Sequence, residues 1–129
     1  MSRLIIIAVV VLAAAVAAFF LFGGGGSHPR IIKQQAQGAV TIRLTEYSMS
    51  PNRVNINHGR VKLTIVNGGK NIHQFVLHDP VLNKDIVNLP FLKPGATQVA
   101  FVDLIAFRRY EMYDPTYREK GMEGAITAR

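Results

Sequence analysis

From Ala39 onward, apolar and polar side chains alternate with a period of two. Val40, Ile42 and Leu44 alternate with Thr41, Arg43 and Thr45; Val61, Leu63 and Ile65 alternate with Lys62 and Thr64. Val54 and Ile56 follow the same rule, as do Val99 with Phe101, Tyr110 with Met112, and Ala125 with Thr127. Successive strand side chains point to opposite faces, so this pattern predicts half-buried strands and excludes a helical bundle. His73 to Leu77 is apolar-rich on both faces, as expected of a well-buried strand. Turn signals punctuate the pattern at Ser50-Pro51-Asn52, Asn57-His58-Gly59, Asn67-Gly68-Gly69, His78-Asp79-Pro80, Pro94-Gly95 and Asp114-Pro115. About seven short strands with frequent turns predict an all-β, antiparallel Greek-key sandwich. Pro80 to Pro94 is less regular and reads as a long crossover with room for a helical turn at Leu82 to Val87.

The amino-terminal segment has a different character. Leu4 to Phe22 carries no charged or polar side chain. About 20 apolar residues at helical rise cross a bilayer core. The segment is therefore read as a single transmembrane anchor over residues 1–22, with Leu4, Ile5, Ile6, Val9, Leu12, Ala13, Ala17 and Phe20 among its apolar side chains. The rival is a cleaved signal peptide, whose apolar core is usually only about 7–15 residues. A small-residue site exists around Ala15 to Ala18, but Phe19 to Phe22 follows it where polar sequence is normal. Gly23 to Gly26 with Ser27 opens a flexible tether over residues 23–37. The folded domain is expected over residues 38–129. Arg3 on one side and Arg30 and Lys33 on the other leave orientation undecided by charge.

The formal net charge is +7, which suits an acidic protein partner or an anionic lipid surface. No basic helix, zinc-finger spacing or RNA-binding motif is present, so nucleic acid is not an expected partner. There is no cysteine, which removes disulfides, thiolate ligands and a Cys nucleophile. Ser48 and Ser50 lack a matched His and acid, and Glu46, Glu111 and Glu119 are scattered in sequence, so no enzyme is expected. His28, His58 and His78 have no metal-ligand spacing with one another.

Two segments go beyond this. Val66-Asn67-Gly68-Gly69-Lys70-Asn71-Ile72-His73 leads into the buried strand, and Tyr110 to Gly124 ends in Gly121-Met122-Glu123-Gly124. Together they resemble the two copper-binding segments of the cupredoxins, especially the plastocyanin-like branch. In that family a V-x-N strand leads to a His ligand, and a later loop reads C-x-x-H-x-x-x-G-M-x-G. Glu46-Tyr47-Ser48-Met49-Ser50-Pro51 and Lys93-Pro94-Gly95 resemble further family motifs. The resemblance implies a cupredoxin-like sandwich on the outer, periplasmic side of a membrane. It places His73 and Met122 at two ligand positions, Asp114 at the Cys position and Tyr117 at the second His position.

A blue-copper site needs two His, one Cys and a weak axial Met. The departures therefore imply no copper and no other cofactor. Asp114 and Tyr117 are expected to hydrogen-bond each other or His73 instead. The same resemblance implies that the surface around this end docks a partner, through Arg108, Arg109, Tyr110, Tyr113, Arg118 and Lys120. The expected role is a non-catalytic subunit bracing the outer face of a bioenergetic membrane complex, of photosynthetic reaction-centre or terminal-oxidase type. The partners are then lipid and other subunits. The alternative is a metal-delivery protein using His73 and Met122.

Overall fold

Why strands form here is visible in what each one buries. The structure, a computed structural model, describes residues 31–129. The expected anchor and the first part of the expected tether lie outside the described residues. Among those described, no helix is long and apolar enough to cross a membrane.

The strands are β1 (Lys33–Ala36), β2 (Ala39–Thr45), β3 (Ser48–Ser50), β4 (Arg53–Ile56), β5 (Gly59–Asn67), β6 (His73–Asp79), β7 (Lys84–Leu92), β8 (Thr97–Leu104), β9 (Arg109–Tyr113) and β10 (Glu123–Ala128). They form a six-stranded sheet in the order β1-β4-β10-β9-β6-β7 and a four-stranded sheet in the order β3-β2-β5-β8. Ile42, Leu44, Leu63 and Ile65 from one sheet and Phe75, Leu77, Met112 and Ile126 from the other are completely buried in one core. The strict alternation along β2 and β5 is the sequence period made visible.

The all-β sandwich is as expected, with three differences in detail. First, the sheets are mixed: β1 and β10 each run parallel to β4, and β2 runs parallel to β5. Parallel neighbours need a crossover between them. Here the chain supplies it by leaving one sheet for the other: β4 lies in the six-stranded sheet between β2 and β5 of the four-stranded one.

Second, the region expected to be a crossover with a helical turn holds the long strand β7, antiparallel to β6. Asp79 shapes the turn between them by accepting the Val81 and Leu82 N–H groups at 2.9 and 3.2 Å. Asn83 adopts a left-handed φ of 50°, which Asn tolerates better than most residues. Pro90 and two register shifts interrupt the pattern that would have revealed the strand. A proline is tolerated there because β7 is an edge strand.

Third, the domain starts earlier than residue 38. Lys33–Ala36, expected to belong to the tether, adds to β4 as β1. Four residues are too few for a period to be read from sequence. Hydrogen bonding to β4 and burial of Ala36 in the core decide it.

Leu63 sits fully buried between the sheets. Leu63→Ala should cost about 2–5 kcal/mol of stability, read as a lower midpoint in urea unfolding with little change in slope.

Candidate functional site

One end of the sandwich is built from four chain segments. β2 ends and gives Glu46 and Tyr47; β5 ends at Asn67 and opens the loop to His73; β9 ends and gives Asp114; a 3-10 turn at Arg118–Lys120 leads to Met122. Asn67, fully buried, organises the loop. Its side-chain amide donates to the Leu92 and Asn71 carbonyls at 2.7 and 2.8 Å, and its oxygen accepts the Gly69 N–H at 2.9 Å. At Gly68 and Gly69 the absence of a side chain matters. A Cβ on Gly68 would lie 2.3 Å from the Arg43 guanidinium carbon, and one on Gly69 would lie 2.4 Å from a Glu46 carboxylate oxygen. The two glycines let these side chains lie against the loop backbone. Gly121 ends the 3-10 turn with a left-handed φ of 111°, which suits glycine.

His73 is completely buried, and carboxylates hold both of its ring nitrogens. Nδ1 lies 2.9 Å from Asp114 Oδ2, and Nε2 lies 3.2 Å from Glu46 Oε1. Each carboxylate is in turn held by backbone. Asp114 accepts the Gln74 N–H at 3.2 Å and the Thr116 N–H at 2.9 Å. Glu46 Oε1 accepts the Lys70 and Asn71 N–H groups at 2.8 and 2.7 Å. An ionised carboxylate only accepts. The two ring bonds therefore need two protons among the three groups: an imidazolium between two carboxylates, or a neutral ring with one carboxylic acid. The Asn71 N–H is the main cause that holds the Glu46 carboxyl below the usual range. Partial burial opposes it, and the Lys70 N–H and His73 add to the lowering.

The residues singled out by resemblance do gather. Tyr117 meets the His73 ring edge-on at 5.3 Å between centroids and packs on Tyr47 at 5.2 Å. Met122 is fully buried. Its N–H bonds the Tyr117 carbonyl at 3.3 Å, and its carbonyl accepts the Asp114 N–H at 3.1 Å. Asp114 bonds His73; Tyr117 reaches it as a ring. Among the described residues, no group of three or more His, Cys, Asp or Glu is arranged to hold a metal ion.

The basic and aromatic residues expected to surround this end divide differently. Lys120 stands over the Tyr47 ring at 4.6 Å, and Arg118 over Tyr113 at 4.3 Å. Arg118 is also paired with Glu123 at 3.1 Å. Arg108 and Arg109 belong to the opposite end. Asp114 directly follows Tyr113, and β9 puts Arg109 about 13 Å from Tyr113. Proximity in sequence was misleading because an extended strand intervenes. Arg108 is bound at 2.7 Å to the buried Asp79. Burial opposes ionisation of the Asp79 carboxyl, but the Leu82 N–H and then Arg108 hold it below its ordinary range. Tyr110 lies in the core and accepts the Ile105 N–H at its hydroxyl, 2.8 Å, so it offers no contact surface.

Sequence reasoning missed Glu46, Tyr47 and Asn67 as members of the site. The available signal was the Gly68-Gly69 pair after Asn67, which marks a loop that other side chains approach closely. His78 pairs across strands with Asp85 at 2.8 Å, and the exposed His58 bonds the Arg129 carbonyl.

This arrangement of two sheets, with a His-bearing strand start and a Gly-Met-x-Gly loop meeting at one end, is that of the blue-copper proteins. The chain belongs to the cupredoxin-like domain family, whose model matches residues 4–128. It is thereby related to electron-transfer proteins. Solved structures with the same fold include dithionite-reduced auracyanin from the photosynthetic bacterium Roseiflexus castenholzii (14% identity, 76% of this chain and 98% of that one, TM-score 0.56). A Cu(I) methionine-to-glutamine variant of amicyanin also matches (14%, 71% and 83%, TM-score 0.57). So does the purple cupredoxin from Nitrosopumilus maritimus (21%, 70% and 99%, TM-score 0.56). No curated protein sequence matches.

Asn67→Ala should remove the bonds to the Leu92 and Asn71 carbonyls and to the Gly69 N–H, costing about 3 kcal/mol in chemical denaturation. Acid should act through Glu46. A lowered carboxyl contributes stability above its unfolded value and loses it as pH falls through the folded value. Glu46→Gln should therefore be less stable than the wild type near neutrality, and the two curves should converge below the ordinary glutamate range.

Proposed function

We propose that this protein is a copper-free member of the cupredoxin-like family that works as a membrane-tethered docking subunit and does not carry electrons. The observation that carries this reading is the capture of both His73 nitrogens by Asp114 and Glu46. The residues present do not fit the copper that the family implies. A blue-copper centre takes a thiolate with two imidazoles. The chain has no cysteine, Asp114 occupies the thiolate's place in the loop, and Tyr117, its ring T-shaped to that of His73, stands where a second imidazole is needed. Met122 is sealed in the core. The hydrogen-bonded cluster does what a metal cross-link does by coordination: it fixes the loops at this end.

What that end then offers is a surface. Tyr47 and Ile72 are exposed, and Lys120 lies over the Tyr47 ring. Aromatic, aliphatic and cationic groups together suit a protein interface with an acidic partner. Combined with the apolar run from Leu4 to Phe22, this supports a single-pass subunit. Its extracytoplasmic domain braces the outer face of a multisubunit bioenergetic complex, such as a reaction centre or terminal oxidase. Metal delivery through His73 and Met122 is the weaker reading, because neither side chain is free to bind.

Two measurements test this. Purified protein exposed to excess copper and desalted should retain less than stoichiometric metal and show no intense thiolate-to-copper absorption. One tightly held copper per chain, lost in His73→Ala, would overturn the copper-free reading. Gentle extraction from native membrane should bring a fixed set of membrane subunits with the protein, and Lys120→Glu should weaken that association. Protein that emerges alone would rule out the subunit role.

A further inference from the structure

The outer face of the six-stranded sheet carries a second basic feature, remote from His73. Register places Lys33, Arg53, Ala125 and Glu111 in one row across β1, β4, β10 and β9, and Asn55, Thr127 and Arg109 in the next. Because β10 turns Ile126 and Ala128 into the core, Ala125 and Thr127 face outward. They are small, so they form the floor of a groove of about 390 Å³, with Lys33 and Arg53 on one wall and Arg109 on the other. All three cations are exposed, and among the described residues none has an acidic partner within 4.0 Å. Glu111, the acid on this face nearest in register, is 3.8 Å from Arg118.

Two exposed apolar side chains accompany the charges. Ile31 lines the groove and is 59% exposed. Phe107, two residues before Arg109, is 92% exposed and stands on a left-handed backbone. Cations beside bare apolar side chains are the composition of a membrane-interface surface.

We propose that this groove lies on the anionic headgroups of the bilayer that holds the chain, with lipid phosphates between the Arg53 and Arg109 walls. The proposal rests on the anchor reading of Leu4 to Phe22. Chain length supports the choice of a bilayer as occupant. Eight residues separate Phe22 from Ile31, and the nine backbone steps between them reach no more than about 30 Å at full extension. A basic groove kept that close to a membrane meets headgroups at high local concentration. Each basic side chain near an anionic leaflet contributes enough that neutralising two should weaken the contact on the order of 30-fold.

The test uses the full chain reconstituted into vesicles of phosphatidylcholine alone or with phosphatidylglycerol. Acylation of Lys33 by an amine reagent is read by mass spectrometry. Lys62, on the outer face of the four-stranded sheet, is the control. Lys33 should react several-fold more slowly in the anionic vesicles and regain reactivity in high salt, where screening shortens to about 3 Å. The double variant Arg53→Ser, Arg109→Ser should remove the protection, while Lys62 stays unchanged. Equal Lys33 reactivity in both lipids would overturn the proposal. Protection seen only in native membranes would do the same and assign the groove to an acidic protein. Alkaline washing of the vesicles tests the anchor separately: release of the protein there would sink the anchor, whatever the Lys33 footprint shows.

Discussion

A buried imidazole held between two carboxylates organises one end of this domain. His73 begins a strand of the six-stranded sheet, Asp114 follows another strand of that sheet, and Glu46 follows β2 of the other sheet. The cluster therefore ties the two layers across the core. Burying such groups is expensive, and even a buried ion pair often does no better than a well-packed apolar substitute. What it does impose is position. Each carboxylate takes backbone N–H groups from the neighbouring loops as well as the ring. Two loops and a strand start are thereby set in one register with respect to each other.

Much of this is legible in the sequence. Strands that bury one face, such as β2 and β5, announce themselves by alternation, and the sandwich followed from them. The pairing of Asp114 with His73 was open to inference too, because a polar side chain beside a buried His must find a partner. Elements decided by tertiary context were not legible. Strand β1 is too short to show a period, and β7 is interrupted by Pro90 and by shifts of register. Glu46 looked unattached because its partners, Asn71 and His73, lie 25 and 27 residues away along the chain. Arg108 and Tyr110 looked like surface groups because they sit close to the loop in sequence. One is bound to Asp79, the other is core.

The surfaces then separate by geometry. The strand ends near His73 carry Tyr47, Ile72 and Lys120, whereas the groove of Lys33, Arg53 and Arg109 lies on a sheet face. A sheet face and a strand end are roughly perpendicular. If the face rests on lipid as proposed, the strand ends stay clear of it and are left for a protein partner. One fold can thus meet two kinds of partner without competition between them.

The edge position of β1 has a mechanical side. It is the first strand of the domain and runs parallel to β4, with four residues in register from Lys33 to Ala36. A pull on the chain ahead of Ile31 meets the bonds of Ile32 to Asn52 and Arg53 first, and this strand next. A load along a strand's axis bears on all of its ladder bonds together, in shear, and does not peel them one after another. The same short strand that escaped notice in the sequence is therefore the coupling through which tension from outside reaches the folded core.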